Sequence, residues 1–143
     1  MAANPNHWRE LLEPGNEKDL VFQMCDAIRE TAFAIHQYHG SGHLEKIYEN
    51  ALGHRMRNMG MRMEAQVPIV VRDEDETPLG EFFADLIADG ILIIEVKAAR
   101  SLAPEHVAQL LGYLRGTNVE HGLLINFGAG KLEIKKVIMN ERF

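Results

Sequence analysis

Between Phe82 and Ala98 the chain runs FFADLIADGILIIEVKA, and Asp85, Glu95 and Lys97 stand there among Phe82, Phe83, Leu86, Ile87, Ile91 to Ile94 and Val96. Folding such a segment takes the ionisable groups out of water, at several kcal/mol per ion unless each is paired or bound to a metal. Glu95 and Lys97 are two apart, so on a strand both side chains leave the same face. Two carboxylates and an ammonium converging at a sheet edge suit a divalent cation, a phosphate group and an attacking water. An isolated Glu-x-Lys in a strand is more often a structural ion pair, so the neighbours must decide.

Parity sets a condition on that chemistry. With a two-residue hairpin loop of Asp89 and Gly90, Ala88 pairs with Ile91 and Asp85 with Ile94, which puts Asp85 and Glu95 on opposite faces. A three-residue loop of Ala88, Asp89 and Gly90, with Gly90 at positive φ and a bulge, pairs Ile87 with Ile91 and Asp85 with Ile93. That register brings Asp85, Glu95 and Lys97 to one face, so the chemistry predicts an odd-length connection.

The elements that position these residues follow from periodicity. Residues 1–16, with Pro5, Pro14 and Gly15, form a partly ordered lead-in, and residues 17–143 form a single domain. Leu20, Val21, Met24, Ala27, Ile28, Ala32 and Ile35 recur at helical spacing over residues 17–38. A second helix covers about residues 43–58, with Leu44, Ile47, Tyr48, Ala51, Leu52 and Met56 inward and Gly60 as its stop. The period then changes to strands at 66–72, 81–88 and 91–98, a helix from Pro104 to about Arg115, and strands at 121–127 and 132–139. The order is α-α-β-β-β-α-β-β, an α/β layered domain with a mixed sheet.

The 143 residues are 46% hydrophobic and 25% charged, ordinary for a globular domain. No apolar run reaches the ~18 residues of a membrane span, and MAANPNHWRE lacks the basic start and apolar run of a signal peptide. A cytoplasmic location is therefore expected, and the single Cys25 fits a reducing compartment as a small core residue of the first helix. The net charge of −6 argues against strong non-specific attraction to nucleic acid. The histidines lack the spacing and partners of a zinc site, and only His106, three residues before Gln109, is expected near the acids.

The element order, Asp85, the Glu95–Lys97 motif and the helix behind it resemble the PD-(D/E)XK nuclease superfamily, whose core is αβββαβ. Within GHLEKIYENAL, Gly42, Glu45 and Tyr48 match the pattern that names the GxxExxY protein family, and FFADLIADGILIIEVKA, AQLLGYLR and GLLINFG also resemble it. These ordered blocks span roughly residues 20–139. The loop before the second helix departs from the family by reading GSGH, where relatives often have a proline-glycine turn followed by an apolar residue.

The resemblance implies that Asp85 and Glu95 ligate Mg²⁺ or Mn²⁺, with the Val96 carbonyl as a further ligand. Lys97 would steady the attacking water and the developing charge. Glu45 would be an additional acid, a ligand or a base, and Gln109 would orient Lys97 or water. Mg²⁺ takes one or two carboxylates and keeps several waters, so two acids suffice. Glu45 shares a face with Tyr48 and, from its apolar neighbours, is expected to point inward. Tyr48 is expected to pack more readily than to bond a carboxylate. For Gln109 a plain helix-surface position stands equally open.

Three readings follow. One is a metal-dependent nuclease acting on DNA or RNA, the reading that Asp85, Glu95 and Lys97 together favour. Another is a catalytically silent nucleic-acid-binding or protein-interaction module on the same fold. The last is a small homodimeric scaffold whose buried charges are structural.

Overall fold

The computed structural model describes residues 17–139, and the lead-in expected over residues 1–16 lies outside them. Helices α1 (Glu17–His39) and α2 (Glu45–Asn58) precede strands β1 (Met63–Arg72), β2 (Pro78–Ala88) and β3 (Leu92–Lys97). Helix α3 (Pro104–Arg115) and strands β4 (His121–Asn126) and β5 (Glu133–Ile138) complete the α-α-β-β-β-α-β-β order. One five-stranded sheet runs β1-β2-β3-β4-β5. β1 to β3 form an antiparallel meander, β3 and β4 pair in parallel across α3, and β5 returns antiparallel to β4.

Two apolar layers cover the sheet. Met24, Ile28 and Ile35 of α1 and Leu52 and Met56 of α2 pack on Leu92, Ile94, Val96, Leu123 and Ile125. Leu110 and Leu114 of α3 pack on Ile69, Ile87, Ile93, Leu124 and Val137 on the other face. With helices on both sides, β4 is buried along its whole length, which is why HGLLIN reads as an apolar run rather than an alternation.

The β1–β2 hairpin is longer than periodicity suggests, starting at Met63 and resuming at Pro78. Its ladder pairs Met63 with Ala88 and reaches Arg72 opposite Pro78. Glu64 and Ala65 have weak strand preference, and cross-strand pairing overrides it. Part-way along, both strands exchange faces. Ala84 sits in the α3 layer and Leu86 in the α1–α2 layer, two residues that a regular strand would place together. Opposite, Met63 belongs to the α1–α2 layer and Val67 to the α3 layer, with Gln66 between them at φ 52°. The crossover therefore falls on Gln66 and Asp85, the one opposed pair that drops out of the ladder between Ala65–Leu86 and Val67–Ala84.

The β2–β3 connection is odd in length, as the parity condition requires, but shifted by one residue. Ala88 pairs with Leu92 and Ile87 with Ile93, so the loop is Asp89, Gly90 and Ile91 rather than residues 88–90. Asp89 and Gly90 both have positive φ, 48° and 72°, and the Ile91 amide donates to the Ala88 carbonyl to close the turn. The shift has a local cause. The Asp89 amide donates to the Arg62 carbonyl and its carboxylate accepts from the Arg62 amide, which pins the turn to the start of β1. Continuing this register sets Asp85 opposite Glu95 instead of Ile93.

Candidate active site

The β2–β3 ladder ends at Leu86–Ile94, one step before the two acids. Beyond it the side chains take over from the backbone: the Asp85 amide donates to Glu95 Oε1 at 3.0 Å, and the Val96 amide donates to Asp85 Oδ2 at 2.9 Å. Each carboxylate thus satisfies a strand N–H that the splayed ladder leaves over. Glu95 is buried, at 4% exposure, whereas Asp85 is half-buried at the crossover. Burial, then the adjacent Asp85 carboxylate, pushes the Glu95 carboxyl up to about 8, with Lys97 acting in the opposite sense.

Lys97 is half-buried on the same edge, and its Nζ donates to Gln109 Oε1 at 3.1 Å. Gln109 is a surface position of α3 whose polar end reaches the motif lysine. Tyr113, one turn further along α3, stacks on Phe82 with ring centroids 3.9 Å apart. Burial first, then the charges of Glu95 and Asp85, raise the Tyr113 hydroxyl above its ordinary value, with Gln109 acting in the opposite sense.

On the α2 side an open cavity of about 520 Å³ reaches Asp85 and is lined also by His43, Glu45, Lys46, Glu49, Gln66 and Ala98. Glu45 stands at its mouth and is exposed, not turned inward, because α2 begins at Glu45 and its buried face starts only at Tyr48 and Glu49. The inward acid is Glu49, 3% exposed, which accepts from Lys46 Nζ at 2.6 Å and from Gln66 Nε2 at 2.7 Å. Burial and the Asp85 charge raise its carboxyl above the usual range, against the pull of Lys46. Helical phase carries the signal for Glu49, since it lies three and seven residues before the core positions Leu52 and Met56. Tyr113 was marked only by lying four residues after Gln109, on the same helix face.

Tyr48 packs, as expected. Its ring stacks on Phe127 at 4.6 Å and 6°, while its hydroxyl donates to the Gly40 carbonyl and accepts from the His43 amide. It thereby ties the GSGH loop to the core and touches no carboxylate. His106 is taken up by its own helix: Nδ1 accepts from the Ala103 amide and caps α3.

Behind Lys97 lies a second polar group. Asn126 is fully buried; its Oδ1 accepts from the Ala99 and Gly128 amides, and its Nδ2 donates to the Ala99 carbonyl and to Glu133 Oε1. The same Glu133 oxygen accepts from the Leu102 amide, so the whole loop from β3 to α3 is held at two points. Gly128 presses against this loop so closely that a Cβ there would stand 2.4 Å from the Ala98 and Ala99 backbone.

A family model of the PD-(D/E)XK nuclease superfamily matches residues 22–137. The chain belongs to that superfamily. In this PD-(D/E)XK protein the matched span takes in every residue of the site, from Glu45 to Tyr113. The solved structure of SSO0001 is similar at TM-score 0.54 and 19% identity, covering 96% of this chain and 75% of that one, which is a likeness of fold. No curated protein matches the chain significantly.

The donor set fits a hard divalent cation. Among the described residues no group of three or more His, Cys, Asp and Glu side chains is arranged around one point. What the site offers is a pair of adjacent carboxylates, enough for Mg²⁺ or Mn²⁺ with its retained waters and too few for a closed zinc site. An acid held protonated to about pH 8 by burial and by its neighbour is also the state that a cation would reverse. No helix of the described residues is long and apolar enough to cross a membrane.

Proposed function

We propose that this protein is a divalent-metal-dependent nuclease of the GxxExxY group, hydrolysing phosphodiester bonds of DNA or RNA at the Asp85–Glu95–Lys97 edge. The observation that carries the reading is the interlock of Asp85 and Glu95 across the end of the β2–β3 ladder, with Lys97 on the same edge. Asp85 and Glu95 would hold Mg²⁺ or Mn²⁺. The N–H and C=O of a strand residue leave the same edge, and the Val96 N–H points to Asp85, so its carbonyl borders the same gap and is suited to join them. When bound, the metal would acidify a water and offset charge on the scissile phosphate.

The chain's own groups would do the rest. Lys97, steadied by Gln109, would put its ammonium against the developing negative charge. Glu49 would hold or release a proton at the cavity wall beside Asp85, while Glu45 at the mouth meets whatever enters. Tyr113 would bound the site on the α3 side. The single buried Cys25 agrees with a cytoplasmic setting.

The test has two arms. Mn²⁺ should raise the melting temperature of the wild-type chain and leave that of Asp85→Asn, Glu95→Gln unchanged, through preferential binding to the folded state. A panel of single-stranded, double-stranded and branched DNA and RNA should be cut with Mn²⁺. Equal thermal shifts in both proteins would remove the metal site; a metal-specific shift without cleavage of any substrate would leave the silent binding module as the reading.

A further inference from the structure

The outer side of α1 carries a stripe that no part of the site uses. Phe22 is 69% exposed and Phe33 50% exposed, and between them Asp26 and Arg29 form a surface pair at 3.1 Å. Positions 22, 26, 29 and 33 follow a four-three-four spacing, so they fall on one narrow face. Met24, Ile28, Ala32 and Ile35 occupy the opposite, buried side of the same helix. The two rings share one face about three turns apart, and each could bury apolar area against a partner of matching spacing.

The stripe has a symmetry that names it. A two-fold axis crossing the helix between Ala27 and Ile28 sets Phe22 opposite Phe33 of a second copy and Asp26 opposite its Arg29. Antiparallel apposition of two such helices therefore joins ring to ring at both ends and opposite charges at the centre, twice over, as an isologous contact requires. A partner of other chemistry would have to reproduce the order aromatic, cation, anion, aromatic; a second copy supplies it by rotation alone. We infer that α1 is a self-association surface, and that the protein forms a two-fold dimer by packing α1 against α1. No residue of the stripe lines the Asp85 cavity, so the dimer and the hydrolysis stand or fall separately.

Sedimentation equilibrium of the full chain, over about three decades of concentration up to about 1 mM, reads the dimer directly. Asp26→Arg and Arg29→Asp each place like charges across the axis and should raise the dimer Kd at least about tenfold. Mixed in equal amounts, the two variants oppose unlike charges again and should dimerise as the wild type does. Phe33→Ser should weaken association as well, with the melting temperature as the folding control. A wild-type chain that stays monomeric throughout overturns the inference. So does a dimer indifferent to both charge reversals, or two reversed variants that fail to associate when mixed.

Discussion

Asn126 and Glu95 are both buried polar residues, on neighbouring strands and on either side of the Lys97 edge, yet the fold treats them differently. Asn126 has its amide matched on all sides by Ala99, Gly128 and Glu133. Glu95 bonds one strand amide and faces another acid, and its proton is held far above the usual carboxylate range. A matched amide is inert and serves as a fixture. An acid pressed against an acid stores unfavourable charge that only a proton or a cation relieves, which is how a site is kept ready.

The sharpest way to test that contrast is to remove charge at the edge. Lys97→Met keeps most of the side-chain volume and should lower cleavage by about 10²–10⁴-fold with little change in melting temperature. A cleavage assay paired with thermal unfolding checks it; a cleavage loss that merely tracks unfolding would make Lys97 structural. On the other side, Asn126→Ala strips four hydrogen bonds from a buried site and should cost about 2–3 kcal/mol, read as a fall in melting temperature. Its damage should reach activity only through the loop it holds.

The pH dependence of stability separates the two clusters again. Because the Glu95 carboxyl is raised in the folded protein, the fold favours its protonated form, and that contribution is complete below the ordinary value near 4.5. It is lost as pH climbs towards about 8, so metal-free protein should weaken over this range, on the order of several kcal/mol. Glu95→Gln should flatten the profile, and Mn²⁺ should do the same in the wild type. Denaturant midpoints at stepped pH measure it, and a wild-type profile already flat would remove the picture of a poised acid. The smallest effect belongs to the crossover. Gln66 sits at positive φ, so Gln66→Gly should be more stable than Gln66→Ala by about 1 kcal/mol, both having lost the bond to Glu49. Equal stabilities would mean that the backbone there is not strained.

Much of this was legible in the chain. Apolar periodicity locates each helix and strand, and the placement of Asp85, Glu95 and Lys97 among Phe and Ile residues marks the edge in the sequence itself. The odd loop followed from parity. Its exact register did not, because that rests on Asp89 gripping Arg62, 27 residues away in the chain. Glu49 was hidden for a related reason: Glu45 and Glu49 share one helical stripe with Leu52 and Met56, and only the place where the helix starts leaves the earlier acid exposed and the later one buried. The face exchange at Gln66 and Asp85 has no signature in composition, since neither residue is a glycine and no residue is inserted. The network at Asn126 joins β4, β5 and the β3–α3 loop, contacts that only assembly creates.

Gly128 bears on how this protein can change over generations. It contributes no functional group, and its place is fixed by room alone, since even a methyl group would collide with the Ala98–Ala99 backbone just after Lys97. Neighbouring positions can trade one apolar side chain for another and keep the sheet. Here the smallest possible replacement forces main chain to move, so tolerance to mutation should collapse at one residue with no chemistry of its own. In a saturation screen for activity, Gly128 would rank with the acids and the lysine, and a reader of that screen would take it for a catalytic position.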